Sequence, residues 1–177
     1  DIEKTEDIVR EHALIYWDLD ENDQAIALLD QYVKDNPDCF SLQNLKIDIL
    51  NQMGRGKDAL KLCKKLYKDN PSVYMQTRLG ICYERIEDYD NAKKTYEEAY
   101  RRDPEYNVVV RRLMYLLSFL SDKQRDLSLC RQGIKYATEY IKLTGSAEGY
   151  VERGNLYIDL YKLDKAVEDC RKAIELN

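Results

Sequence analysis

The sequence predicts an all-α chain of about five stacked helix-turn-helix units, and three observations lead there. Glycine and proline are scarce, 7 and 3 in 177 residues, against ordinary usage of about 7% and 5%. That argues against a β-sandwich, a collagen-like chain or a Pro/Gly-rich linker, and for helices joined by short turns. The prolines keep a beat: Pro37, Pro71 and Pro104, in DNPDCF, DNPSVY and RDPEYN, fall 34 and 33 residues apart. Ala25, Ala59 and Ala92, each opening a second apolar run, are also spaced 34 and 33. Self-similarity at such a period marks an array of small repeated units, each too small to bury its apolar face alone.

Each unit reads as two amphipathic helices with apolar residues at helical spacing. The first, about 6–38, carries Ala13, Tyr16, Ala25, Leu29 and Pro37. The second, 39–72, keeps Leu42, Leu45, Ala59 and Pro71, with Lys46 where a small residue is expected. Its Ala and Pro come one residue late, which places a one-residue insertion in its turn around Gly54 and Gly56. The third, 73–106, has Leu79, Gly80, Tyr83, Ala92, Tyr96, Ala99 and Pro104. The last, 147–177, has Tyr150, Gly154, Tyr157, Ala166, Cys170 and Ala173, and stops where a terminating Asp-Pro would come. Gly80 and Gly154, Tyr83 and Tyr157, and Ala92 and Ala166 each lie 74 apart, two periods of 34 plus six. One repeat with a six-residue insertion therefore occupies 107–146, around Leu113 and Leu117. Its segment SDKQRDLSLCRQGIKYATEYIKLTG lacks proline and reads as a long second helix from about Lys123 to Leu143, closed by Gly145 as a left-handed C-cap. The extra length, about 9 Å at 1.5 Å per residue, is either a plain extension or a ridge that meets a partner. The domain reading is a single array over 1–177.

On these in-phase residues the chain resembles the tetratricopeptide repeat (TPR) family, whose unit is a 34-residue helix-turn-helix. The resemblance covers nearly the whole sequence and implies a right-handed α-solenoid. It implies close helix approach at the small pairs Gly80 with Ala92 and Gly154 with Ala166, and a concave groove lined by the first helices. Carried over position by position, the groove takes Arg10 and Trp17 from the first unit and Phe40, Gln43, Asn44 and Ile47 from the second. The third adds Tyr74, Arg78 and Arg85, and the fourth Arg111, Arg112, Tyr115 and Phe119. The fifth turns acidic with Glu148, Glu152 and Asp159 beside Asn155. The residues expected to bind a partner are Arg10, Trp17, Asn44, Tyr74, Arg78, Arg111, Arg112, Tyr115 and Asn155. Arginine forks hold carboxylates bidentately and aromatic faces add apolar contact, which suits a protein or peptide segment carrying acidic groups. Phe40 and Phe119 could instead pack between first helices. TPR co-chaperones that clamp a C-terminal carboxylate resemble this chain at Asn44, Arg78 and partly Arg10, but Leu14 and Tyr74 depart from their pattern.

Bulk numbers narrow the function further. A net charge of -5 and a pI near 5.1 argue against nucleic-acid binding. No run approaches the roughly 18 apolar residues of a membrane span. Residues 1–38 hold 3 basic and 12 acidic side chains, whereas 39–72 and 107–146 each hold 7 basic and 3 acidic. This asymmetry suits ordered stacking, contact between copies or an acidic solubilising cap. Five scattered cysteines, Cys39, Cys63, Cys82, Cys130 and Cys170, without a CxxC pair, read as free thiols at core positions and favour the cytoplasm. The acidic start without an initiator Met leaves an exported or membrane-anchored parent protein open.

No catalytic constellation emerges. His12, the only histidine, falls at an inward position of the first unit and lacks the partners for a metal cluster or a nucleophile relay. Asp18, Asp20 and Asn22 have calcium-loop spacing, but Asp23 stands where Gly is needed and Leu29 where Glu is needed. Gly-rich phosphate loops and nucleophile elbows are absent. The expectation is a non-enzymatic protein-interaction module without cofactor or metal. Its rivals are an element that self-assembles through open terminal faces, giving a homo-oligomer, and a regulatory or adaptor segment of a larger enzyme, chaperone or secretion complex.

Overall fold

A computed structural model describes residues 5–176. They form α1 (Glu6–Asp18), α2 (Asn22–Asp35), α3 (Phe40–Gln52), α4 (Gly56–Asp69), α5 (Val73–Arg85), α6 (Tyr89–Arg102), α7 (Asn107–Gln124), α8 (Leu127–Thr144), α9 (Ala147–Asp159) and α10 (Leu163–Glu175). No strand occurs among the described residues. The chain divides into two compact units, one ending at Asp88 and the other starting at Tyr89. Unit one therefore holds α1 to α5 and unit two α6 to α10, and the boundary falls in the turn of the third repeat.

Local chemistry sets the helix ends. Thr5, Ser72, Asp126 and Ser146 each accept a backbone N–H of the first turn, from Ile8, Met75, Ser128 and Glu148, which satisfies a donor the helix leaves orphaned. The turn inside each repeat contains one left-handed residue: Asp20 (φ 61°), Gly54 (72°), Glu87 (59°), Arg125 (52°) and Tyr161 (55°). The four non-glycine residues accept this conformation although L side chains disfavour it by about 1–2 kcal/mol.

Two boundaries differ from the sequence reading. The α3–α4 turn, 53–55, is as long as the α1–α2 turn, 19–21, so the second unit has no insertion there. The late Ala59 has another cause: α3 begins at Phe40 rather than Cys39, so the second unit starts one residue later than the sequence reading placed it. In the fourth unit the second helix starts at Leu127, not Lys123. The inserted residues are shared: α7 and α8 are both 18 residues long, against 13 and 14 for α5 and α6. The apolar run of α7 continues through Leu120 to buried Ser121 and carries the helix onward. Arg125 then ends it without the glycine that would announce a turn.

In unit one the core runs through Val9, Ala13, Ala25, Leu29, Leu42, Ile49, Ala59, Cys63 and Met75. Gly56 is required where α4 begins, since a Cβ there would stand 2.8 Å from Ile86 Cγ2. In unit two Tyr96, Val109, Leu113, Met114, Leu117 and Leu156 are fully buried. The expected pairing of Gly154 with Ala166 is present: the Ala166 carbonyl oxygen lies 3.6 Å from where a Gly154 Cβ would stand. A polar lock joins three helices of this unit. Arg153 on α9 donates to both carboxylate oxygens of Asp169 on α10, at 2.8 and 2.7 Å, and to Thr138 on α8 at 3.1 Å. The Asp169 side chain is only 5% exposed.

Each outermost helix packs through one side; the other has no neighbour among the described residues. His12 lies on that open side of α1 with Ile15 and Leu19 and is exposed, which corrects its inward placement. Cys170 lies on the corresponding side of α10 with Val167 and Ile174, so this thiol is exposed rather than a core filler, while Cys63, Cys82 and Cys130 are buried. Val167 and Ile174 are exposed on this side of α10.

Candidate functional site

The first helices of unit one, α1, α3 and α5, carry five of the expected binding residues, and most are engaged with their neighbours. Arg10 pairs with Glu6 at 3.0 Å and donates to the Ser41 hydroxyl at 2.6 Å, and Ser41 in turn donates to Glu6. The Ser41 and Cys39 hydrogen bonds, with Arg10, hold the Glu6 carboxyl below its usual range. Trp17 Nε1 donates to Gln52 Oε1 at 2.5 Å. The Asn44 side-chain amide donates to the Phe40 carbonyl, and the Asn44 backbone carbonyl accepts from Arg78 at 3.0 Å. Arg78 also pairs with Asp48 at 2.7 Å, and its side chain is 15% exposed. Burial pushes the Arg78 pKa down, but the hydrogen bond and charge of Asp48 outweigh it and leave the guanidinium more firmly protonated. Tyr74 is exposed.

The one-residue phase shift of α3 explains which groove residues fail. Gln43 and Ile47 are buried, not surface groups. Counting from Phe40, the groove positions fall on Asn44 and Asp48, so the sequence reading missed the carboxylate that neutralises Arg78. Phe40 is partly buried against the core, whereas Phe119 is exposed.

Unit two presents a more open surface, made by α7 and α9, which pack on each other. Along α7, Val108, Arg111, Tyr115 and Phe119 recur at helical spacing and are all exposed. Along α9, Val151, Asn155 and Ile158 do the same. Val108, Val151 and Ile158 occupy the second, fifth and twelfth positions of their repeats, so the family positions alone would have found them. Phe119, 47% exposed, lies against Tyr89 at 5.2 Å between ring centroids. Arg112 is partly buried.

Glu148 ties this surface together. Its carboxylate accepts from the Tyr115 hydroxyl at 2.6 Å and the Tyr140 hydroxyl at 2.8 Å, and pairs with Arg111 Nε at 3.1 Å. Burial pushes the Glu148 pKa up, but the two tyrosine hydroxyls and Arg111 outweigh it, so the net direction is down. Burial first, and then the hydrogen bond to Glu148, push both tyrosines up. A carboxylate with a depressed folded pKa adds stability above its unfolded pKa, about 4.3, and loses it as pH falls through the folded value. Wild type and Glu148→Gln should therefore differ most in urea midpoint near neutral pH and converge below about pH 4. Parallel midpoint curves across that range would show that ionisation of Glu148 contributes nothing.

These helix pairs define a class: two-helix repeats that, within each unit, carry first-helix side chains at the surface. The family model for the Psidin N-terminal TPR repeats region matches residues 12–117, and a tetratricopeptide repeat model matches residues 147–177. The chain belongs to the TPR family described by the Psidin N-terminal repeats, whose model matches more than half of it.

Solved structures share the fold. A crystal structure of MamA has 19% sequence identity, covers 92% of this chain and 92% of its own, and gives a TM-score of 0.72. A thermophilic TPR protein of Thermus thermophilus has 17% identity, with 97% and 91% covered and a TM-score of 0.72. MamA from Desulfovibrio magneticus RS-1, residues 41 to the end, has 17% identity, with 96% and 93% covered and a TM-score of 0.71. No curated protein sequence matches the chain. The fold is consistent with a protein-interaction scaffold.

Proposed function

We propose that the chain is a non-enzymatic interaction module that holds a segment of a partner protein on its first-helix faces. The observation that carries this reading is the exposed stripe Val108, Arg111, Tyr115 and Phe119 on α7, beside Val151 and Ile158 on α9. Apolar side chains aligned on one helix face offer contact area, and a half-exposed guanidinium among them supplies direction. Aromatic and arginine side chains are the types that most often anchor interfaces. Arg111 and Arg112 receive acidic groups of the partner, with Tyr115 as an apolar wall. Asn155 adds hydrogen bonding from α9. In unit one, Tyr74 is the exposed contact, while Arg78, Arg10, Asn44 and Trp17 hold the first helices in register and shape the face.

The test is a pull-down with the intact chain and with Tyr115→Ala combined with Phe119→Ala, read by mass spectrometry. Partners retained by wild type should be lost by the variant, with circular dichroism establishing that it stays folded, and Arg111→Ala should weaken them in a salt-sensitive way. Equal retention by all three proteins overturns the reading.

A second reading is favoured by the exposed apolar sides of α1, with Ile15 and Leu19, and α10, with Val167 and Ile174. Such faces suit stacking of copies into a homo-oligomer. Light scattering over rising concentration tests it, and a mass fixed at the monomer value discards it.

A further inference from the structure

The second helices of unit one hold a surface that the first-helix faces do not share. Between α2 and α4, with α3 beneath, lies a groove of about 370 Å³, within the roughly 300–1,000 Å³ span of ligand-holding clefts. Its floor is aliphatic: Ile26 from α2, Leu50 from α3 and Leu62 from α4. Four cations stand on its rim, in two kinds. Lys46 pairs with Asp30, and Arg55 pairs with Asp58 at 2.8 Å, so these charges cancel in place. Lys61 and Lys65 are exposed and have no acidic partner among the described residues.

The placement of that second pair is informative. Lys61 and Lys65 are four residues apart on one helix, a spacing at which like charges oppose helix formation. Lys64, the third lysine of this turn, is used internally, lying 5.2 Å from the centre of the Tyr83 ring. The two ammonium groups thus flank an apolar floor without contributing to the fold.

We infer that this groove docks an amphipathic helix of a partner protein, with aliphatic side chains over half-buried Leu62 and the exposed edge of Ile26, and carboxylates one turn apart facing Lys61 and Lys65. The occupant is argued from complementarity of both kinds: aliphatic residues fill an aliphatic floor, and acidic groups meet the unneutralised charge. A nucleic-acid strand or an anionic membrane fits less well, because a run of phosphates needs more than the two uncompensated cations this rim offers.

The probe is a fluorescein-labelled, alanine-based helical peptide with leucines at i, i+4 flanked by glutamates, titrated with the whole chain by fluorescence anisotropy. Wild-type binding should fall as salt rises, and at low salt it should be about tenfold or more weaker for Lys61→Glu with Lys65→Glu. It should also be lost when alanine replaces the peptide leucines or lysine replaces its glutamates. Tyr115→Ala with Phe119→Ala should bind the peptide like wild type, which separates this site from the α7–α9 surface. Circular dichroism melts establish that the lysine variant stays folded, as two exposed side chains allow. Absent binding, equal affinity of wild type and the lysine variant, or equal binding of the lysine peptide overturns the inference. So does tighter, Lys61- and Lys65-dependent binding of poly-uridine or phosphatidylserine vesicles.

Discussion

Asp169→Ala should cost about 3–5 kcal/mol of folding stability, the usual loss when one partner of a buried ion pair is removed. Arg153 is held by both Asp169 oxygens and its side chain is 18% exposed. Without the carboxylate, a mostly buried guanidinium keeps only the Thr138 hydroxyl and the Tyr150 ring, 5.5 Å away. The hydrogen bond to Asp169 is the main cause that raises the Arg153 pKa, and even without it the arginine does not escape by losing its proton, because a guanidinium titrates far above neutral pH. Urea unfolding followed by circular dichroism measures the effect. Replacing both partners, Arg153→Met with Asp169→Leu, should cost much less than Asp169→Ala alone, since two apolar side chains leave no charge stranded. An Asp169→Ala midpoint equal to wild type would mean that the lock carries no net stability.

Leu156→Ala should cost about 2–5 kcal/mol, the range for emptying a packed leucine site. Leu156 is fully buried, and its Cδ1 lies 3.0 Å from where a Cβ on Gly133 would stand. That closeness makes a sign change testable. In wild type, Gly133→Ala must push Leu156 aside, and the overpacking opposes the roughly 1 kcal/mol that alanine gains over glycine in a helix. In the Leu156→Ala protein the obstruction is gone and the added methyl enters the space left behind. Gly133→Ala should therefore stabilise the Leu156→Ala protein more than it stabilises wild type, as a coupling in a double-mutant cycle. Strict additivity of the two changes would refute the close approach of α8 and α9 at this point.

The fold was legible because it rests on spacing. Ala25, Ala59 and Ala92 mark buried contacts in successive copies of the unit, and a residue that must be small in each repeat leaves a periodic trace. Boundaries were less legible where no glycine or proline marks them. Arg125 ends α7 in a conformation usually given to glycine, so Lys123 to Asp126 looked like the start of the second helix. The shift at α3 moved the expected surface onto Gln43 and Ile47 and hid Asp48, whose pairing with Arg78 follows from three-dimensional neighbourhood alone. The Arg153–Asp169 lock was missed for a similar reason, since its partners lie 16 residues apart on facing helices. The α7 stripe, by contrast, was largely written in the sequence: Arg111 and Tyr115 were expected at the surface and are exposed, and of the two placements left open for Phe119 it takes the exposed one.

The left-handed turn residue bears on how such a chain tolerates change. Aspartate, glycine, glutamate, arginine and tyrosine occupy that place in the five hairpins, so the bend is imposed by the two helices it joins and not by the side chain sitting in it. These positions are therefore handles for engineering: a reporter group can be grafted there without disturbing what the helices bury. Glycine introduced at Glu87 or Tyr161 would ease the backbone in the folded form, at the cost of a freer unfolded chain.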